Sequence, residues 1–152
     1  MRSHRLALLL LATLPAVVLA QRDTHLRWGA PPPVFPRGAR MAVVSGDPNK
    51  SGPFTVQLRM PDGYRIAPHF HPTDEHVAVK SGTFLVGMGD RGDRKSMQRL
   101  TAGQTADVKA NMHHYARAKG PTTIEVTANG PFAMTYVNPA DDPQTKTRTK
   151  VE

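Results

Sequence analysis

Residues 63–82 read GYRIAPHFHPTDEHVAVKSG, and this stretch decides the fold. Apolar and polar residues alternate on both sides of Pro72-Thr73-Asp74, the pattern of two short strands joined by a turn. Alternate residues of a strand share a face, so His69 and His71 point the same way and Phe70 points the other. The turn brings the chain round so that Glu75, opening the next strand, faces back toward the two imidazoles. Asp74 and His76 flank Glu75 and face away by the same alternation.

Outward from this stretch the pattern repeats. Candidate strands lie at about 40–45, 53–60, 64–71, 75–80, 83–88, 97–100, 104–108, 113–118, 121–127 and 131–137. Turn signals separate them, among them Pro61-Asp62-Gly63, Ser81-Gly82, Ala102-Gly103, Lys119-Gly120-Pro121 and Asn129-Gly130-Pro131. About ten short strands at this spacing predict an all-β sandwich or barrel. The one helical signal is a single turn near Asp93 to Met97. Arg91-Gly92-Asp93 resembles an adhesion tripeptide, but it lies in a Gly-rich turn whose backbone asks for such residues.

The 152 residues make one domain, and the chain has no cysteine. Disulfide scaffolds, thiol enzymes and zinc-thiolate fingers are thereby excluded, and any metal ligand must be His or carboxylate. The N-terminus is basic, with Arg2 and Arg5, and an apolar run follows from Leu6 to Val18. Val18-Leu19-Ala20 reads as a cleavage site, which predicts an export signal over 1–20, cut after Ala20, and a periplasmic or secreted mature protein with no stable membrane insertion. Residues 21–38 are Pro-rich and read as an extended arm, and residues 141–152 as a polar, frayed tail. The mature chain has 18 basic against 12 acidic residues, a formal +6. These charges are scattered and carry no nucleic-acid module signature, so no nucleic-acid partner is expected.

The histidines carry the chemistry. Five of the seven fall in two windows, His69, His71 and His76 in one and His113-His114 in the other. The second window supplies a third imidazole. Three neutral imidazoles and one carboxylate suit one divalent first-row transition-metal ion, being softer than an all-oxygen cage and harder than thiolate. Four protein ligands leave positions open for a ligand or substrate, whereas a structural site is normally closed.

This spacing resembles the cupin superfamily. Gly63, His69, His71, Glu75 and Gly82 match the first cupin motif, G-x5-H-x-H-x3-E-x6-G, without a gap. The second motif, G-x5-P-x-G-x2-H-x3-N, is met by Gly103 and His114, with Lys109 in place of Pro, Asn111 in place of Gly and Ala118 in place of Asn. Asn111 is a tolerable substitute because Asn, like Gly, accepts left-handed turn geometry. The resemblance implies a small exported single-domain cupin over 39–140: a double-stranded β-helix, or jelly-roll barrel. The metal ligands it implies are His69, His71, Glu75 and His114. His113 is one residue off the motif and points outward by strand alternation.

Further candidates are Arg65, which shares parity with His69 and would hold a substrate anion, and Met112 and Tyr136, which would line a pocket or pack the core. A methionine near the histidines is compatible with copper; iron, manganese, zinc and nickel fit the same ligands. The implied function is metal-centred binding of a small polar or anionic molecule, with oxygenase-, decarboxylase- or isomerase-type turnover. A non-catalytic metabolite- or metal-binding or sensing module is the alternative. The Pro-rich arm also suggests exchange between the two chains of a homodimer.

Overall fold

A computed structural model describes residues 26–148. Residues 1–20, expected to direct export with cleavage after Ala20, lie outside the described residues, as do His25 and the last four residues. No helix among the described residues is long and apolar enough to cross a membrane.

Eight strands follow the Pro-rich arm: β1 (Arg40–Ser45), β2 (Gly52–Met60), β3 (Arg65–Phe70), β4 (Glu75–Met88), β5 (Gln98–Thr101), β6 (Thr105–Val108), β7 (His114–Gly130) and β8 (Thr135–Tyr136). A 3-10 turn at Arg94–Ser96 falls where a helical turn is expected, capped by the Asp93 carboxylate on the Lys95 amide. A second 3-10 turn, Pro139–Asp141, leads into the tail expected to fray, where the short helix α1 (Pro143–Arg148) forms.

Two long strands organise everything else. β7 pairs antiparallel with β4 from His114 to Ala128, and its other edge carries β3 at one end and β2 at the other. The free edge of β4 carries β6 near Glu75 and β5 near Phe84. Register shifts at Val79–Ser81 and Ser81–Thr83 bend this ribbon in the middle. Gly82 is required there: its φ is +81°, and a Cβ would run into the Pro121 carbonyl and the Thr122 side chain.

The bend lets the inner faces of both halves bury one another. On β2, Phe54, Val56, Leu58 and Met60 point inward and alternate with Thr55, Gln57 and Arg59, the period-2 pattern of a half-buried strand. Leu58, Met60 and Ile124 from one half meet Ile66, Phe84, Val86 and Leu100 from the other in a single core cluster. Each such side chain contributes about 1.5–3 kcal/mol by leaving water.

One expectation is overturned. The chain is all-β in its sheet, but the sheet does not close into a jelly-roll barrel. The hydrogen-bonded path runs β1-β2-β7-β3-β8 with β4, β5 and β6 branching from it, and among the described residues no ladder joins the flanks. The flanking strands are too short to carry one. β5 and β6 have four residues each and β8 has two, while among the described residues the outer edge of β1 is met only by the Gly29–Met41 bridge. Core burial, not closure of the ladder, holds the two halves together.

The arm packs on its own chain. Trp28 lies under the Arg59 guanidinium, 3.8 Å from it. Buried tyrosines pin the arm from within: Tyr64 donates to the Pro36 carbonyl at 2.7 Å and Tyr136 to the Val34 carbonyl at 2.9 Å.

Candidate metal centre

The strand ends deliver four side chains to one place. His69 near the end of β3 sits opposite His114 at the start of β7 and Tyr136 on β8. Glu75 opens β4 between Val108 of β6 and Ala128 of β7. Asn111 takes φ +60°, and its amide donates to the His71 carbonyl at 2.7 Å, which turns the chain into β7 and presents His114. The left-handed geometry at the glycine position of the second motif is therefore met by Asn.

The imidazoles of His69, His71 and His114 form one buried group whose ligand atoms lie within 4.8 Å of one another. Their tautomers follow from their partners. Nδ1 of His69 bonds the Ala67 carbonyl at 2.7 Å, that of His71 the Ala133 carbonyl at 2.7 Å and that of His114 the Met112 carbonyl at 3.0 Å. A carbonyl only accepts, so each Nδ1 carries the proton and each Nε2 keeps its lone pair. Glu75 faces two of these nitrogens, with Oε1 3.5 Å from His71 Nε2 and Oε2 3.8 Å from His114 Nε2.

Burial sets the protonation states. It pushes the His69 ring down to about 2, helped by repulsion from the His114 and His71 rings and opposed by the Ala67 bond. His71 is pushed down to about 4 and His114 downward, in both cases chiefly by burial. The same burial raises the Glu75 carboxyl to about 7. Three neutral imidazoles with inward lone pairs and one carboxyl that ionises near neutrality form a set that suits a divalent metal ion.

His113, His76 and Asp74 point outward. His113 Nδ1 bonds the Asp90 carboxylate at 2.6 Å, and its ring stacks on Phe70. His76 Nδ1 bonds Asp107 at 2.6 Å in the open. Asp74 accepts from the Lys109 ammonium and the Ala110 amide, both at 2.8 Å.

None of the three substrate-contact candidates lines the cavity that borders the three imidazoles and Glu75. Arg65 is exposed on the outer face. Its parity with His69 is lost because the β3–β7 register shifts between Ile66 and His69, at Ala67-Pro68, so that both Ile66 and His69 point inward. Met112 is 41% exposed in the turn before β7 begins. Tyr136 is buried with its ring 6.1 Å from His69, and its hydroxyl is spent on the Val34 carbonyl. Missed from sequence were Phe132, whose ring lies 5.5 Å from that of His71, and the three carbonyls that orient the imidazoles. Carbonyls leave no side-chain signal, whereas the aromatic beside Asn129-Gly130-Pro131 was a visible one.

No family model and no curated protein matches the sequence. Solved structures match in fold. The polyketide cyclase RemF from Streptomyces resistomycificus superposes with a TM-score of 0.65 at 15% identity, over 82% of this chain and 89% of that one. KdgF from Halomonas sp. gives 0.56 at 22%, over 72% and 91%. A cupin 2 domain-containing protein from Halorhodospira halophila gives 0.56 at 20%, over 76% and 85%. With an RmlC-like cupin from Shewanella frigidimarina matching as well, this chain shares its fold with several proteins of the cupin superfamily.

Proposed function

We propose that the chain holds one divalent transition-metal ion, whether iron, manganese, zinc, nickel or copper, and presents it to a small molecule. His69, His71 and His114 would bind through Nε2 and Glu75 through its carboxylate. One observation carries this reading: three buried Nδ1 atoms are tied to carbonyls, which leaves three inward lone pairs beside the carboxyl. An ion held there supplies Lewis-acid or redox chemistry at the positions the protein leaves open. Within the cavity the imidazoles orient, the apolar walls exclude water, and Glu75 is the one side chain suited to hold or pass a proton near pH 7.

Oxygenase-, decarboxylase- or isomerase-type turnover is one use of such a centre, and non-catalytic binding or sensing is the other. The second is favoured by the cavity wall, which has no titratable side chain beyond the four among the described residues. The test is elemental analysis of the purified chain beside a His69→Ala, His71→Ala double variant and an outward control, His76→Ala. About one ion per chain is expected in the parent and the control, with most of it lost in the double variant. Equal metal in all three defeats the assignment.

Export, with cleavage after Ala20 into the periplasm or medium, is proposed from residues 1–20 and tested by sequencing the mature N-terminus. Homodimer formation is tested by light scattering.

A further inference from the structure

A cavity of about 70 Å³ borders the three imidazoles and Glu75. Beyond those four groups its wall is hydrocarbon or thioether. Val56 and Leu58 come from β2, Val77, Phe84 and Val86 from β4, and Ile124 from β7. No Lys, Arg, Asp, Asn, Gln, Ser, Thr or Tyr lines it among the described residues. Half-buried Phe35 and Phe132, stacked at 5.7 Å, extend the same apolar character.

We propose that the molecule taken at this centre has a hydrocarbon body and a single polar head that reaches the His/Glu end. This replaces the polar or anionic molecule expected from sequence, and it rests on the metal-binding reading above. The argument is one of partners. A sugar hydroxyl, phosphate or second carboxylate placed along this wall would give up its water and find no donor, acceptor or cation in return. Arg65, the one anion contact expected, lies on the outer face. A methylene meets the opposite balance, gaining about fourfold in affinity for each one removed from water. The polar ends of a ligand are therefore confined to the four side chains that converge at one end, and the cavity's small volume limits the body to a few carbon atoms.

The test uses the full chain loaded with zinc, its ion content measured by elemental analysis, and titrated calorimetrically with hydroxamates that share one chelating head. Butyrohydroxamate is expected to bind about sixteenfold more tightly than acetohydroxamate, about fourfold for each of its two extra methylenes. The gain should end by octanohydroxamate, and 3,4-dihydroxybutyrohydroxamate should lose it. Equal affinities, a tighter diol, or a gain that continues unbroken to the octyl chain overturns the hydrocarbon inference. If such a result comes from protein that carries its ion, the metal reading survives. A chain that takes up no zinc sinks both.

Discussion

The buried site makes a quantitative statement about protons. An ion needs the Glu75 carboxylate ionised and all three imidazoles neutral, so any proton held by the empty site must leave when the ion binds. Burial holds Glu75 at about 7, so at pH 6 it is about nine-tenths protonated. His71 at about 4 is only about one-hundredth protonated there, His69 at about 2 less still, and His114 is pushed the same way. Binding at pH 6 therefore releases about nine-tenths of a proton from Glu75 and almost none from His71 and His69, with His114 adding less than the roughly three-quarters of an ordinary imidazole; the Glu75 share falls to about one-tenth at pH 8. Ligands with ordinary values behave otherwise: three imidazoles near 6.5 would each be about three-quarters protonated at pH 6, giving about two protons in all. The sign follows. Affinity is full above about pH 7, falls about tenfold per pH unit below it as Glu75 takes up its proton, and steepens further as the imidazoles begin to compete, His71 near pH 4. Calorimetric zinc titration in two buffers of different ionisation enthalpy reads the proton count directly. Glu75→Gln should lower it by about nine-tenths of a proton at pH 6. Two or more protons from the parent at pH 6 would refute the neutral, carbonyl-tethered imidazoles.

Without metal, the raised Glu75 pKa means that its ionised form is disfavoured by the fold; the penalty is present above about 7 and gone below about 4.5. Glu75→Gln should then stabilise the metal-free chain by up to about 3 kcal/mol at pH 8, with the gain absent at pH 4, as read by denaturant midpoints in chelator. The buried Thr122 hydroxyl accepts from the Thr83 amide at 3.2 Å and shares its proton between the Thr83 and Gly120 carbonyls, both at 3.0 Å, at the bend of the ribbon. Thr122→Val keeps the shape and strands these groups, so a loss of about 1–3 kcal/mol is expected in urea unfolding. Tyr64→Phe and Tyr136→Phe each remove one tether of the arm at a cost of about 1 kcal/mol, and amide exchange at Gly29 and Met41 should quicken while metal content stays unchanged.

Strand positions were legible where one face is buried and the other wet. The bounds of β1 match the expected 40–45, and those of β2, β3, β5 and β6 fall within a residue or so of expectation. The misreadings come at the last strand, where the expected 131–137 shortens to Thr135–Tyr136, and at turn residues inside long strands. Ser81-Gly82 and Lys119-Gly120-Pro121 read as breaks, yet β4 and β7 each run through them, because the two strands pass these points side by side: Thr83 pairs with Lys119 and Ser81 with Thr123. A flexible residue in a lone strand ends it, but in a strand whose partner bends at the same level it becomes a bulge. That bend then decides the architecture. It folds the sheet onto itself, and a repeating strand-turn pattern could not tell such a folded open sheet from a closed barrel.

The site was legible to the extent that its chemistry resides in side chains. His69 and His71 share a face as alternation requires, since both lie beyond the irregularity at Ala67-Pro68; Arg65 lies before it, and the same rule fails there. Met112 lies in the turn rather than on a strand, so parity had nothing to act on. What spacing could not supply is the direction of each ring. His69 and His114 are each tied to the carbonyl two residues earlier, a local device. His71 is tied to Ala133, 62 residues away on the segment between Gly130 and β8. Any side chain at position 133 offers that carbonyl, so its identity carries no signal, yet the path of the chain there determines which nitrogen of His71 faces Glu75. The segment carrying Ala133, which contributes no ligand, is thus as much a part of the centre as the histidines. A change in its length would leave both sequence motifs intact and turn one of the three lone pairs away.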